Sequence, residues 1–301
     1  MKLEIVKNKR SYSDKVFDIV NVLIMAVLLV IFVWPLWFVV IASISDPNAV
    51  NAGQVLLFAK DITFTGYESM FKYKQLWTGY ANTIFYTVVG TVFNMVMSVC
   101  MAYPLSEKSF RPRKLLMGIF MFTMYFSGGL IPTYLLIRNI GILNTRWAML
   151  IPGLISVYNA LIIRSYFINS IPSELKEAAT LDGANAAQYL VRVVLPLSKA
   201  VLAVVALYYM VAHWNNYTNA LYYLYKEELY PLQIVLRNLL MSSKMSNDLL
   251  LSDPEAMKEA YERAQAMKYC VIIAAAAPML CIYPFIQKYF VKGVMVGSVK
   301  G

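Results

Sequence analysis

Charge is scarce in this chain of 301 residues: Asp, Glu, Lys and Arg make up 15% of it, against about 25% in ordinary soluble domains. That shortage excludes an ordinary soluble enzyme. Histidine occurs once and cysteine three times. With one imidazole and scattered acids there is no clustered set of carboxylates, histidines or metal ligands, which argues against a membrane-embedded enzyme such as a glycosyltransferase. Cys100, Cys270 and Cys281 fit no metal-binding spacing, and an odd number argues against a disulfide framework. All three lie in apolar stretches and read as small buried hydrophobes. No G-x-x-x-x-G-K-[ST] segment is present, so the chain has no loop of its own to cradle nucleotide phosphates. Ionisable groups are also missing from the middles of the apolar stretches, which weighs against a proton-coupled secondary transporter. Repeats and low-complexity segments are absent.

What is abundant is apolar sequence, 59% of the chain. Six stretches, 19–45, 75–106, 115–137, 147–163, 200–225 and 269–287, contain no Asp, Glu, Lys or Arg. A helix needs about 20 mostly apolar residues to cross a bilayer, so the expected fold is all-α and polytopic, with six transmembrane helices. A β-barrel would instead show alternating segments of about 10 residues. The first stretch is too long for the h-region of a cleavable signal peptide and no small-residue cleavage site follows it.

The net charge of +10 reads as topology and not as a nucleic-acid surface. If six spans alternate, Lys2, Lys7, Lys9, Arg10, Lys15, Lys108, Arg111, Arg113, Lys114, Arg164, Lys176, Arg192, Lys199, Lys288, Lys292 and Lys300 fall on one side. The positive-inside rule puts that side, and with it both termini, in the cytoplasm. The resulting organisation is a polar lead-in at 1–16, a six-span domain at 17–292 and a cytoplasmic tail at 293–301. Ser45-Asp46-Pro47-Asn48 is a turn-rich end to the first span. A large outer segment covers about 216–267. In it, Asp253 and Pro254 have the chemistry of an N-cap and a first helical residue, which predicts a helix from about 254 into the sixth span.

The longest inner connection, about 168–199, carries the most specific signal. Ser173 after Pro172 predicts a capped helix through Leu181. Gly183 is suited to a positive-φ stop, and Asn185 predicts the cap of a second helix running toward Leu195-Pro196. Ala178 and Ala179 present small side chains that another protein's groove could close around. Three acids and a single lysine in 173–190 make a poor ligand for an anionic membrane surface.

Glu177-Ala178-Ala179, then Gly183, then Val193-x-Leu195-Pro196 resembles the EAA motif of ABC importer permeases, with Val in place of Ile at 193. Asp182-Gly183-Ala184 and the ending Gly293-x5-Val299-Lys300-Gly301 are similar to carbohydrate-uptake permeases of the maltose-transporter class. The whole-chain pattern, including Tyr125-Phe126-Ser127-Gly128-Gly129-Leu130-Ile131-Pro132-Thr133, is closest in kind to their LplC/YtcP-like branch. The resemblance implies the permease subunit of a type I importer in the bacterial cytoplasmic membrane, not an enzyme, working by alternating access. It implies a second homologous permease, two ATPase subunits, an extracellular solute-binding lipoprotein and an oligosaccharide substrate. No cofactor belongs to this chain; ATP and Mg would sit on the partner ATPase. Glu177, Ala178, Ala179, Asp182 and Gly183 would contact that ATPase.

A solute path is expected among aromatic and amide side chains, because sugars offer apolar C–H faces and many hydroxyls. Tyr125, Tyr208, Trp214, Asn215 and Tyr222 are the residues selected, with 215 and 222 two helical turns apart on one face. Tyr and Trp also gather at membrane interfaces for reasons unrelated to solute, and asparagines can join helices. His213 reads as a hydrogen-bonded structural residue. Permeases for peptides, amino acids and ions also carry EAA motifs, so a non-sugar solute is the alternative within the class.

Overall fold

The computed structural model describes residues 12–242, 264–282 and 284. Among them there are helices and no strand. In chain order these are α1 (Tyr12–Ser43), α2 (Pro47–Asn51), α3 (Thr65–Lys72), α4 (Lys74–Ser106), α5 (Arg113–Tyr125), α6 (Leu130–Asn139), α7 (Trp147–Leu150) and α8 (Val157–Ser170). They continue with α9 (Ser173–Leu181), α10 (Ala186–Tyr189), α11 (Leu195–Leu197), α12 (Lys199–Trp214), α13 (Thr218–Tyr223), α14 (Leu232–Ser242) and α15 (Ala264–Ile282).

The described residues divide into two units, 12–70 with 264–273, and 71–242 with the remainder. In the first, α1 is apolar all round and buried only at Ile41, Ala42 and Ser43, as suits a helix whose solvent is lipid. Its end is tied off by polar groups. The Ser45 hydroxyl donates to the Ile41 carbonyl at 2.7 Å, and Asp46 caps α2 by accepting from the amides of Asn48 and Ala49. Gly66 lets α3 cross α15 closely: a Cβ there would lie 2.3 Å from the Ala266 carbonyl oxygen.

The second unit is organised around α4, against which α8, α12 and α14 pack. Its buried face reads Gly79, Asn82, Thr83, Tyr86, Thr87, Gly90, Thr91, Asn94 and Ser98, while Ile84, Val88, Val92 and Val96 point outward. Small and polar residues inside, aliphatic residues outside, is the pattern of a helix whose neighbours approach closely and whose far side meets acyl chains.

Three helices, α1, α4 and α15, are each long and apolar enough to cross a membrane; two bent pairs raise the figure to five at most. Among the described residues there are thus fewer unbroken helices than the six spans expected, because breaks fall inside the stretches free of charge. A stretch free of charge does not have to be one helix. The third is broken between α5 and α6, which lie 113° apart, by Gly129 at φ 87° and ψ −179°, a backbone conformation open to glycine. The fourth is interrupted at Gly153 (φ 76°), leaving α8 with 14 residues, below the roughly 17–25 that a span requires. The fifth, 200–225, is divided between α12, which ends at Trp214, and α13, which starts at Thr218; ahead of it a π-helical stretch at Leu190–Val194 precedes α11, and an 83° bend follows at Ser198. Of the cysteines, Cys270 alone is buried; Cys100 and Cys281 are exposed on the chain, because their helices turn apolar faces outward. Helix α1 starts at Tyr12, inside the segment expected to be a polar lead-in. The helix expected from 254 lies outside the described residues as far as 263.

Candidate functional site

The connection 168–199 folds as two helices around a glycine turn. Pro172 occupies the N-cap position of α9 in extended backbone, and Ser173 is the first helical residue, making no cap bond with its hydroxyl. The expected serine cap is thus corrected: proline's fixed φ and missing N–H already start the helix. At the other end the amides of Asp182, Gly183 and Ala184 donate to the carbonyls of Ala178, Thr180 and Ala179. Gly183 sits at φ 77°, which closes the helix in the manner of a glycine C-cap. Asn185 caps α10 as expected, and reciprocally: its Oδ1 accepts from the Gln188 amide, and the Gln188 Oε1 accepts from its own amide, both at 2.9 Å.

Helix α9 has no buried residue. Its outward surface carries Glu177 and Ala178 together with Leu175 and Leu181, the last 89% exposed. Residues 175, 178 and 181 are three apart and share that face, making an apolar strip bordered by carboxylates. Leu181 was not among the residues selected from the motif, although a leucine one helical turn from Ala178 and beside the Gly183 turn is legible from the helical spacing alone. Ala179 turns the other way, half-buried against the cluster of Ala102, Phe167 and Tyr189. At that position it packs on the chain's own core. Asp182 is exposed at the C-terminal end of α9, where the helix dipole disfavours an acid.

The same loop is fixed to the C-terminal end of α4. Lys176 Nζ pairs with the Glu107 carboxylate, and the Tyr103 hydroxyl donates to the Ala186 carbonyl at 3.1 Å. A cleft of about 180 Å³ separates the two elements, lined by Tyr103, Glu107, Lys176, Thr180, Asn185 and Tyr189.

The residues selected for a solute path are not brought together. Tyr125 is 71% exposed at the end of α5. Trp214 is 5% exposed, its indole N–H donating to the Ala275 carbonyl at 3.0 Å and its ring edge-on to Tyr80. It is a packing residue of this chain. Asn215 ends α12 and donates to the Val211 carbonyl at 3.0 Å. Tyr222 lies on α13, a different helix, so the shared face expected for 215 and 222 does not exist. Tyr208 and Tyr222 are partly exposed.

Two polar arrangements escaped the sequence reading. Near the N-terminal end of α4, Asn82 donates to the carbonyls of Glu228 and Tyr230, Tyr86 to that of Leu229, and Thr83 accepts from the Leu232 amide. One helix face thereby clasps the stretch 228–232. Just outside it, burial and then the nearby Glu227 carboxylate raise the Tyr73 hydroxyl above its usual range. Deeper in, Asn94 gives its amide hydrogens to the carbonyls of Gly153 and Leu154 and faces His213 Nε2 with its oxygen.

Residues 6–296 match the family model described as binding-protein-dependent transport system inner membrane component. Protein LplC of Bacillus subtilis is 36% identical over 96% of each chain. The polygalacturonan/rhamnogalacturonan transport system permease protein YtcP of the same species is 35% identical, over 96% of this chain and all of its own length. Among solved structures, a chain of a bacterial ABC transporter involved in import of the acidic polysaccharide alginate superposes with a TM-score of 0.85. It is 34% identical and covers 94% of this chain and 100% of its own.

Proposed function

This chain belongs to the family of binding-protein-dependent transport system inner membrane components, and from that we propose that it is the permease subunit of an ATP-driven oligosaccharide importer. It forms half of the translocation path with a second, homologous permease. Two ATPase subunits bind from the cytoplasm, and an extracellular solute-binding lipoprotein delivers the solute at the outer segment about 216–267. The observation that carries this reading is helix α9: an exposed, rigidly capped helix bearing Glu177, Ala178 and Leu181 outward. A helix with no core of its own and an apolar strip rimmed by acids is built to be received by another protein. With no phosphate-binding loop in its sequence, the chain depends on that partner for ATP hydrolysis and for the Mg that accompanies it.

The substrate class follows from the relatives. YtcP is named for polygalacturonan and rhamnogalacturonan, and the structural neighbour serves import of an acidic polysaccharide. We infer oligosaccharides for this chain, with acidic ones first among them. The test is purification of the chain with its neighbouring gene products, followed by uptake of a panel of neutral and acidic oligosaccharides into vesicles. ATP-dependent uptake of at least one glycan is expected. Uptake of amino acids or peptides in place of every glycan would overturn the substrate reading, and absence of any bound ATPase would overturn the coupling role.

A further inference from the structure

Helix α9 carries a single cation, Lys176, and it points back toward the membrane helices. Its partner Glu107 stands at the C-cap of α4 in extended backbone (φ −77°, ψ 124°), its amide donating to the Pro104 carbonyl. The pair is partly open to solvent, with side chains 44% and 19% exposed. One turn earlier on α4, Tyr103 holds the Ala186 carbonyl at the start of α10, and Tyr189 is buried in the cluster that includes Ala102 of α4. The two helices flanking the Gly183 turn are thus each tied to the last turns of α4, α10 by a hydroxyl and by packing, α9 by a charge.

That difference matters because α9 has no fully buried residue and packs on the core through the half-buried methyl of Ala179, too small a contact to fix its angle. An exposed ion pair adds little to fold stability, so this one acts on orientation. We propose that the Glu107–Lys176 pair is a positioning latch that makes α9 turn together with α4. A displacement imposed on the loop is then delivered to α4, and through it to α8 and α12, which pack on α4. Coupling between distant sites needs such a contiguous element whose arrangement both ends bias. The inference rests on reading 168–199 as the loop that receives the ATPase.

The test is nucleotide-dependent hydrogen exchange in the full complex, purified with its partner permease and ATPase and read on peptides covering 100–108 and 173–186. In the wild type, ATP with vanadate alters protection in both. In Glu107→Lys and in Lys176→Glu, the ATPase is still recovered and 173–186 still responds. The response at 100–108 falls by about threefold or more, and the double variant Glu107→Lys with Lys176→Glu restores it. The neutral variants Glu107→Gln and Lys176→Met give the same loss where a reversed charge hinders insertion. A wild type whose 100–108 peptide ignores nucleotide overturns the latch. So does a single variant that keeps the full response, or a charge swap that fails to restore it. Loss of the ATPase from the wild-type complex would instead overturn the docking reading beneath it.

Discussion

His213 Nε2 lies 2.6 Å from Asn94 Oδ1, and one turn earlier on α4 Gly90 leaves the imidazole its space. A Cβ on Gly90 would stand 2.5 Å from both Cε1 and Nε2 of the ring. Because the Asn94 amide hydrogens go to two carbonyls, its oxygen must accept, and Nε2 of the imidazole carries the hydrogen. Gly90→Ala is expected to push the ring off this bond and to cost about 1–3 kcal/mol by overpacking. Adding His213→Ala to Gly90→Ala should recover part of that loss. Thermal unfolding of the purified chain in detergent measures the cycle; costs that simply add would show that the two positions do not meet.

Gly183→Val tests the turn. Nothing lies within 4 Å of the added Cβ, so the penalty is confined to the positive-φ backbone, about 1–2 kcal/mol. The variant should insert and pair with the second permease, yet re-aim α10 and lose the ATPase on purification. Ala179→Leu should give the same loss from the opposite side, by wedging α9 away from Phe167 and Tyr189. Normal ATPase recovery and normal transport in both would make this loop an ordinary connector.

Leu181→Glu addresses the apolar strip on α9. As an exposed residue it should change stability by no more than about 0.5 kcal/mol. ATPase recovery from detergent should nevertheless drop by about tenfold, the scale of one interface anchor. Equal recovery from the variant and the wild type would remove Leu181 from the contact.

Trp214 and Asn215 are adjacent but should behave differently. Trp214→Ala empties a packed site and is expected to cost about 3–5 kcal/mol, seen as lower yield of folded chain. Asn215→Ala should leave yield intact and raise the half-saturation concentration for uptake by about 3–10-fold, the equivalent of one hydrogen bond. If cavity-directed labelling of Asn215→Cys is never blocked by solute, residue 215 does not line the path.

The inner loop was legible in the sequence because its signals are local. Proline, glycine and asparagine within fourteen residues, 172–185, set one helix start, one stop and one cap, and the structure differs only in which residue takes the first cap. The break in the fourth stretch was hidden by hydropathy, which averages over a stretch and ignores what a single Gly153 does to φ. Trp214 looked like a ligand for sugar because composition cannot say where an indole N–H finds its acceptor, 61 residues away in Ala275. The Glu107–Lys176 pair spans 69 positions, and no spacing rule connects them.

The inward polar face of α4 has a consequence for biosynthesis. Its acceptors and donors come late: Asn94 waits for carbonyls 59 and 60 residues downstream and for an imidazole 119 downstream. Thr83 waits for an amide 149 residues further on. When α4 leaves the ribosome none of these has been made, and asparagine facing hydrocarbon without a partner is costly. The helix must therefore be held by the insertion machinery, or in water at the membrane surface, until α8 and α12 have been translated. Nascent chains long enough to expose α4 but ending before 153 should cross-link to insertase, and those extended well beyond 232 should have released it.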